Sequence, residues 1–97
     1  MADEADLAYA SISRYQVITM VVRALDNLHP GLLTVPPAGY QSTWDPSDSA
    51  DHGQYARRAE FNGLLAGISL ATIDPFAVMP RGEVAQILSN LVQLTQP

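Results

Sequence analysis

The 97-residue sequence predicts a small all-α domain, with about three main helices joined by long ordered loops. Its longest regular segments repeat apolar residues at three- and four-residue steps, the spacing of a helix buried on one side. Prolines and glycines separate these segments, and no strand-like alternation continues for more than a few residues. A hydrophobic fraction of 47% is sufficient for a packed core at this length. We therefore expect a single domain over residues 1–97.

The first helix is expected within residues 11–30, in the run SRYQVITMVVRALDNL. Ser13 and Gln16 have the spacing of a capping box, in which each side chain accepts a hydrogen bond from the other residue's backbone. Pro30 and Gly31 end the helix near Leu28, because the residue before a proline avoids helical geometry. One apolar face is expected to be buried. It consists of Val17, Met20, Val21, Ala24, Leu25 and Leu28.

A proline-rich loop is expected to follow, covering residues 31–43 and extending to about residue 50. A stretch of about twenty residues without regular structure is long for a compact domain, so it requires side chains that hold it in place. Tyr40 and Trp44 are the expected anchors.

The second helix is expected to begin near Asp51, with Gln54 as its capping partner, and to end at Gly67. Gly63 then falls inside the helix, where we expect it to allow close approach of another helix. The third helix is expected to have Pro80 at its first position and to continue to about Leu94. Its predicted buried stripe is Val84, Ile87, Leu88, Leu91 and Val92.

Charge and composition exclude several classes of function. All five cationic side chains are arginines, and ten carboxylates give a net charge of −5. Phosphate recognition depends on clustered Lys and Arg, so we expect neither nucleic-acid nor anionic-lipid binding. The absence of cysteine removes disulfides, thiolate nucleophiles and zinc–cysteine sites. No apolar run is long enough for membrane insertion. The acidic residues 1–10, expected as a lead-in or short helical segment, do not resemble a secretion signal.

An arginine-led helix start occurs twice in the chain. Arg14 and Arg81 align at a spacing of 67 residues (81 minus 14), and the apolar positions after them align as well. The aligned pairs are Val17 with Val84, Met20 with Ile87, Val21 with Leu88, and Ala24 with Leu91. Arginine in a first helical turn opposes the helix dipole, which favours a specific role for both side chains. Repeated units of this kind usually build a shared surface.

Residues 44–95 resemble one S-layer homology repeat. These repeats open with an aromatic-x-Asp turn, matched by Trp44 with Asp45 or Asp48, and continue into a helix followed by Gly-Ile, matched by residues 67–68. They close with a Thr-Arg-Ala-Glu helix start, whose position Pro-Arg-Gly-Glu occupies at residues 80–83. Ser-Arg-Tyr-Gln at residues 13–16 matches the same start, so the first helix resembles the closing helix of a preceding, truncated repeat.

The resemblance implies a non-catalytic module at the bacterial cell surface that anchors a larger protein to the cell wall. Family members bind secondary wall polysaccharide, often pyruvylated, and use no cofactor or metal. The implied ligand-binding residues here are Arg14, Arg81, Trp44, Asp48 and Glu83. A guanidinium can hold a sugar carboxylate through two parallel hydrogen bonds, and an indole can stack on a sugar face.

Other interpretations remain open from the sequence. The chain could be an assembly module that packs against flanking domains or a second copy, because an incomplete repeat set leaves apolar helix face without a partner. Each arginine could instead pair with a loop carboxylate such as Asp74, and Glu83 could cap its helix. The acidic stretch around His52, with Ser47 and Ser49, could suggest a cation site or a hydrolase, but it lacks a calcium-loop glycine and a nucleophile elbow.

Overall fold

The computed structural model describes residues 12–96, which contain three α-helices. They are α1 (Arg14–Leu28), α2 (Gly53–Phe61) and α3 (Arg81–Thr95), with short 3-10 helices at Pro46–Asp48 and Leu70–Thr72. Within this range the only β feature is an isolated antiparallel bridge between Ser13 and Val78. The predicted all-α class is therefore confirmed. The expectation for residues 1–10 lies outside the described part of the chain.

The start of α1 follows the sequence prediction. The Ser13 hydroxyl accepts a hydrogen bond from the Gln16 backbone N–H at 3.1 Å, and the Gln16 side chain accepts one from the Ser13 N–H at 2.8 Å. This reciprocal pair is the predicted capping box. The helix ends after Leu28, where the N–H of His29 still reaches the carbonyl of Leu25.

The buried face of α1 is only partly the one expected. The side chains that enter the core belong to Tyr15, Ile18, Val22 and Leu25. Of the predicted stripe only Leu25 is fully buried, and Val17 and Val21 pack partly buried against the core. Met20 is 60% exposed and Leu28 is 74% exposed. Both sides of this helix carry apolar residues, so periodicity alone did not identify the core-facing side.

The second helix begins two residues later than predicted and lacks the expected side-chain cap. His52 is its N-cap residue, and neither Asp51 nor Gln54 forms a capping box there. Gly53 opens the helix directly against the 3-10 helix, since a Cβ at this position would lie 2.0 Å from the Pro46 carbonyl oxygen. Glycine therefore permits the close approach that packs the proline-rich loop onto α2.

α2 ends at Phe61 and not at Gly67. Gly63 has a φ of +81° and donates its N–H to Glu60, while the N–H of Leu64 reaches the carbonyl of Ala59. These two bonds form a Schellman motif, which requires a left-handed residue after the helix. The expectation that Gly63 admits a neighbouring helix is wrong, because a Cβ there would meet nothing within 4 Å.

α3 contacts the rest of the protein through loops. Ile87 is its only buried side chain among the described residues. On the same side the Asn90 amide donates to the carbonyls of Leu64 and Ala66, both at 2.8 Å. The predicted buried stripe is therefore correct in part: Val84 and Leu91 are partly buried against the core, whereas Leu88 is 52% and Val92 51% exposed. Pro80 is the N-cap residue of α3, one position before the place expected for it.

The proline-rich loop is held in place by the two aromatic residues expected to do so. The Trp44 indole N–H donates to the Leu70 carbonyl at 2.9 Å, and its ring lies edge-on to Tyr15. Tyr40 packs edge-on against Phe61, and the Arg57 guanidinium lies 5.6 Å above the Tyr40 ring centre. These contacts connect the loop to α1, α2 and the Leu70–Thr72 turn.

Candidate functional site

The two arginine-led helix starts meet at one junction. Ser13 forms the isolated bridge with Val78, and the backbone N–H of Arg14 donates to the Ala77 carbonyl at 2.8 Å. The next N–H, that of Tyr15, donates to the Pro75 carbonyl at 3.0 Å. The segment that leads into α3 is therefore fixed against the first turn of α1. The two sequence copies occupy one substructure.

Arg14 lies inside this junction. Its guanidinium makes a two-point ion pair with Glu83, with Nε–Oε1 at 2.6 Å and Nη2–Oε2 at 2.9 Å. The remaining nitrogen donates to the backbone carbonyl of Asp74 at 2.9 Å. The side chains are only 9% and 19% exposed. The hydrogen bonds to Glu83, together with its charge, raise the pKa of Arg14 above its ordinary value, although burial opposes the shift.

These contacts change the roles expected for two residues. The planar guanidinium of Arg14 is already bound by Glu83, so it is not available to a ligand outside the protein. Glu83 does not cap α3, because both of its carboxylate oxygens bind Arg14. The alternative that Arg14 pairs with an internal carboxylate is therefore correct. The carboxylate is that of Glu83, whereas Asp74 contributes only its backbone carbonyl.

Arg81 has a different environment, although it occupies the equivalent position. Its side chain is exposed and has no ion-pair partner within residues 12–96. Pro80 provides no side-chain cap, and the backbone N–H groups of Arg81 and Gly82 have no partner in that range. A Cβ at Gly82 would meet nothing within 4 Å, so the space on that side of Gly82 is open. The first turn of α3 thus combines an exposed guanidinium with unpaired N–H groups.

Trp44 and Asp48 do not join Arg81 in a shared contact. Trp44 is half-buried, with its indole N–H bound to the Leu70 carbonyl and its ring in a T-shaped pair with Tyr15. Asp48 is exposed in the Pro46–Asp48 helix on the side of Tyr15, whose pKa is raised by burial and by the negative charges of Asp48 and Asp45. The Tyr15 hydroxyl is buried without a hydrogen-bond partner in the described structure.

The residues around His52 make local structural contacts. Its ring nitrogen Nδ1 lies 2.7 Å from the Thr19 hydroxyl, and its backbone N–H donates to the Ser49 hydroxyl. The Ser47 hydroxyl donates to Asp45. Neither serine is therefore arranged against the imidazole as a nucleophile. Within residues 12–96 no three carboxylate, histidine or cysteine groups come close enough together to hold a metal ion.

One surface feature of the junction was not anticipated as part of the site. Phe76 is an exposed aromatic ring that forms a T-shaped pair with Tyr15 at a centroid distance of 5.1 Å. Its backbone N–H donates to the Asp74 carboxylate, so an Asx turn fixes the ring next to the residues that bind Arg14. The Asp-Pro-Phe sequence at residues 74–76 was the available signal, since Asp-Pro often starts a turn.

Comparison of the chain with protein-family models, with curated proteins and with solved structures gives no match. None of the helices in residues 12–96 has the length and apolar character needed to cross a bilayer.

Proposed function

We propose that this chain is a non-catalytic module of the bacterial cell surface that helps to attach a larger protein to acidic cell-wall polysaccharide. The proposal combines the S-layer homology resemblance of the sequence with the local structure around Arg81. The single observation that carries it is the uncapped start of α3, which has an exposed guanidinium and two unpaired backbone N–H groups.

This helix start suits a sugar carboxylate such as a pyruvate ketal. The positive end of a 15-residue helix favours an anion, and the N–H groups of Arg81 and Gly82 can donate to it. The Arg81 side chain can add a two-point hydrogen bond. Because Gly82 has no side chain, a ring-sized ligand can approach the backbone at this position.

The buried ion pair supports the same proposal indirectly. Glu83 lies in the first turn of α3 and would repel an anion if its charge were free. Arg14 neutralises that carboxylate through two hydrogen bonds. The chain has a net charge of −5, so an acidic ligand depends on such local geometry and not on a long-range field.

The other expected ligand residues take supporting roles in this proposal. Trp44 anchors the proline-rich loop, and Arg14 with Glu83 fixes the segment before α3. Phe76 offers an exposed ring face on that segment, where the apolar face of a sugar can stack.

Sedimentation with purified bacterial cell walls tests the proposal. We expect Arg81→Ala to abolish most of the retention on walls that carry pyruvylated polysaccharide. Arg23→Ala is the matched control, since Arg23 is also an exposed arginine and lies on α1 away from the junction. Walls stripped of the polysaccharide should retain neither the wild-type protein nor either variant. Equal retention of the two variants on intact walls would refute a role for Arg81.

A further inference from the structure

The end of α2 contains an Asn-Gly pair, in which Asn62 is the C-cap residue and Gly63 follows it. In such a pair the glycine nitrogen can attack the asparagine side chain, because glycine presents no side chain that hinders the attack. Asparagine is among the thermolabile residues of proteins. The contacts of Asn62 therefore decide whether this reaction is open to the folded chain.

The Asn62 amide has every hydrogen-bonding position filled. Its Oδ1 accepts from the Thr34 backbone N–H at 2.9 Å and from the Thr34 hydroxyl at 3.1 Å. Its Nδ2 donates to the Thr34 carbonyl at 2.9 Å and to the Arg58 carbonyl at 2.8 Å. An asparagine side chain has two donor hydrogens and two lone pairs, so the amide is fully bonded. These contacts join the proline-rich loop to the last turn of α2.

The backbone of the pair is also turned away from the reaction. Asn62 has a ψ of 4°, which places the Gly63 nitrogen close to eclipsing the backbone nitrogen of Asn62 and away from its Cγ. The Gly63 N–H donates to the Glu60 carbonyl at 3.1 Å within the Schellman motif. Attack on Cγ therefore requires a rotation about ψ and the loss of the side-chain hydrogen bonds.

We infer that Asn62 is a deamidation site that reacts only when the proline-rich loop separates from the end of α2. In the open form the Gly63 nitrogen loses its proton to a solvent base and forms a bond to the Asn62 Cγ. The Cγ–Nδ2 bond breaks, and the side-chain nitrogen takes a proton from water and leaves as ammonia. Water then opens the resulting five-membered imide at either carbonyl. The net change is the addition of water and the loss of ammonia, with aspartate or isoaspartate at position 62.

The product cannot re-form the contact that protected the asparagine. A carboxylate has no proton to donate, so one of its oxygens would face the carbonyl oxygens of Thr34 and Arg58. Both carbonyls then lose a donor, and the new negative charge lies at the negative end of α2. Deamidation therefore releases the proline-rich loop from this end of the helix.

Peptide mass analysis after trypsin digestion tests the protection. Cleavage after Arg58 and Arg81 gives the peptide 59–81, in which Asn62 is the only asparagine and glutamine is absent. We expect its deamidation to be at least about tenfold slower in protein incubated in native buffer than in protein held in urea at the same pH, because several hydrogen bonds must break first. Equal rates in the two conditions would overturn the inference.

A variant of the loop tests whether the contact with Thr34 controls the rate. Thr34→Val removes one of the hydrogen bonds to Asn62, so we expect deamidation in native buffer to become roughly fivefold faster. Thr95→Val is the matched control, since the Thr95 hydroxyl bonds only to carbonyls at the end of α3. If Thr34→Val reacts at the wild-type rate, the loop contact does not protect Asn62.

The consequence of the reaction is measured with Asn62→Asp. We expect hydrogen exchange of the Thr34 amide to become at least about fivefold faster than in the wild-type protein. Asn27→Asp is the control, because it places the same charge near the end of α1 and leaves the loop contact intact. Unchanged exchange of the Thr34 amide in Asn62→Asp would contradict the release of the loop.

Discussion

Arg14 and Glu83 lie 69 residues apart in the sequence and form a two-point ion pair that joins the first turn of α1 to the first turn of α3. Removing one member leaves a charge that is largely buried and unpaired. We expect Arg14→Met to lower the free energy of unfolding by about 3 kcal/mol, measured by urea denaturation. Arg23→Met is the control and should change it by less than about 0.5 kcal/mol.

The double variant Arg14→Met with Glu83→Leu extends this prediction. It should recover part of the lost stability, because no unpaired charge then remains at the junction. If Arg14→Met is as stable as the Arg23→Met control, the ion pair does not hold the junction together.

A second ion pair predicts a pH dependence of stability. Hydrogen bonds from Arg58 lower the pKa of Asp26 below its ordinary value of 3.8. This contribution is complete above the unfolded-state pKa and is lost as pH falls from about 4 through the lower folded-state pKa. Asp26 is 37% exposed, so solvent screening limits the contribution to roughly 0.5 kcal/mol.

Urea unfolding between neutral pH and pH 2 measures this contribution. We expect Asp26→Asn to reduce the acid-dependent loss of stability. Asp51→Asn is the control, since Asp51 is exposed and makes no ion pair among residues 12–96. If the two variants lose stability with the same acid dependence, the Asp26 pair contributes nothing measurable.

The left-handed residue that follows α2 predicts a cost for adding a side chain. We expect Gly63→Ala to lower the melting temperature and to destabilise the fold by roughly 1–2 kcal/mol, because alanine disfavours a positive φ. Gly39→Ala is the control, as Gly39 has a negative φ and open space around it. Equal melting temperatures would show that the Schellman motif does not require glycine.

Trp44 is the only tryptophan, so its fluorescence reports directly on the proline-rich loop. We expect Trp44→Phe to destabilise the protein by about 1 kcal/mol, because the Leu70 carbonyl loses its donor. Wall retention should be unchanged if Trp44 anchors the loop. A selective loss of retention at unchanged stability would instead support the sugar-stacking role expected from the sequence.

Local features were predictable from the sequence to the extent that they depended on neighbouring residues. Ser13 and Gln16 are three positions apart, and their capping box required no tertiary information. The end of α2 was also a local signal, since Gly63 follows a plausible last turn. It was overlooked because the apolar residues after it, Leu64 and Leu65, continue a helical spacing while actually filling the core from a loop.

Long-range features were beyond sequence reasoning. The choice between the two apolar sides of α1 depends on which side packs against α2, so Ile18 was missed and Met20 was assigned to the core. The two equivalent arginines have different environments because a single carboxylate, Glu83, lies within reach of only one of them. Nothing local to Arg14 or Arg81 distinguishes the buried side chain from the exposed one.

Amide chemical shifts test the central claim most directly, because the claim concerns which of two equivalent helix starts meets an acidic ligand. Purified pyruvylated wall polysaccharide would be titrated into the isotope-labelled protein. We predict saturable shifts of the Arg81 and Gly82 amides, while those of Arg14 and Gln16 move little. Shifts confined to the start of α1, or an unchanged spectrum at saturating polymer, would contradict the account.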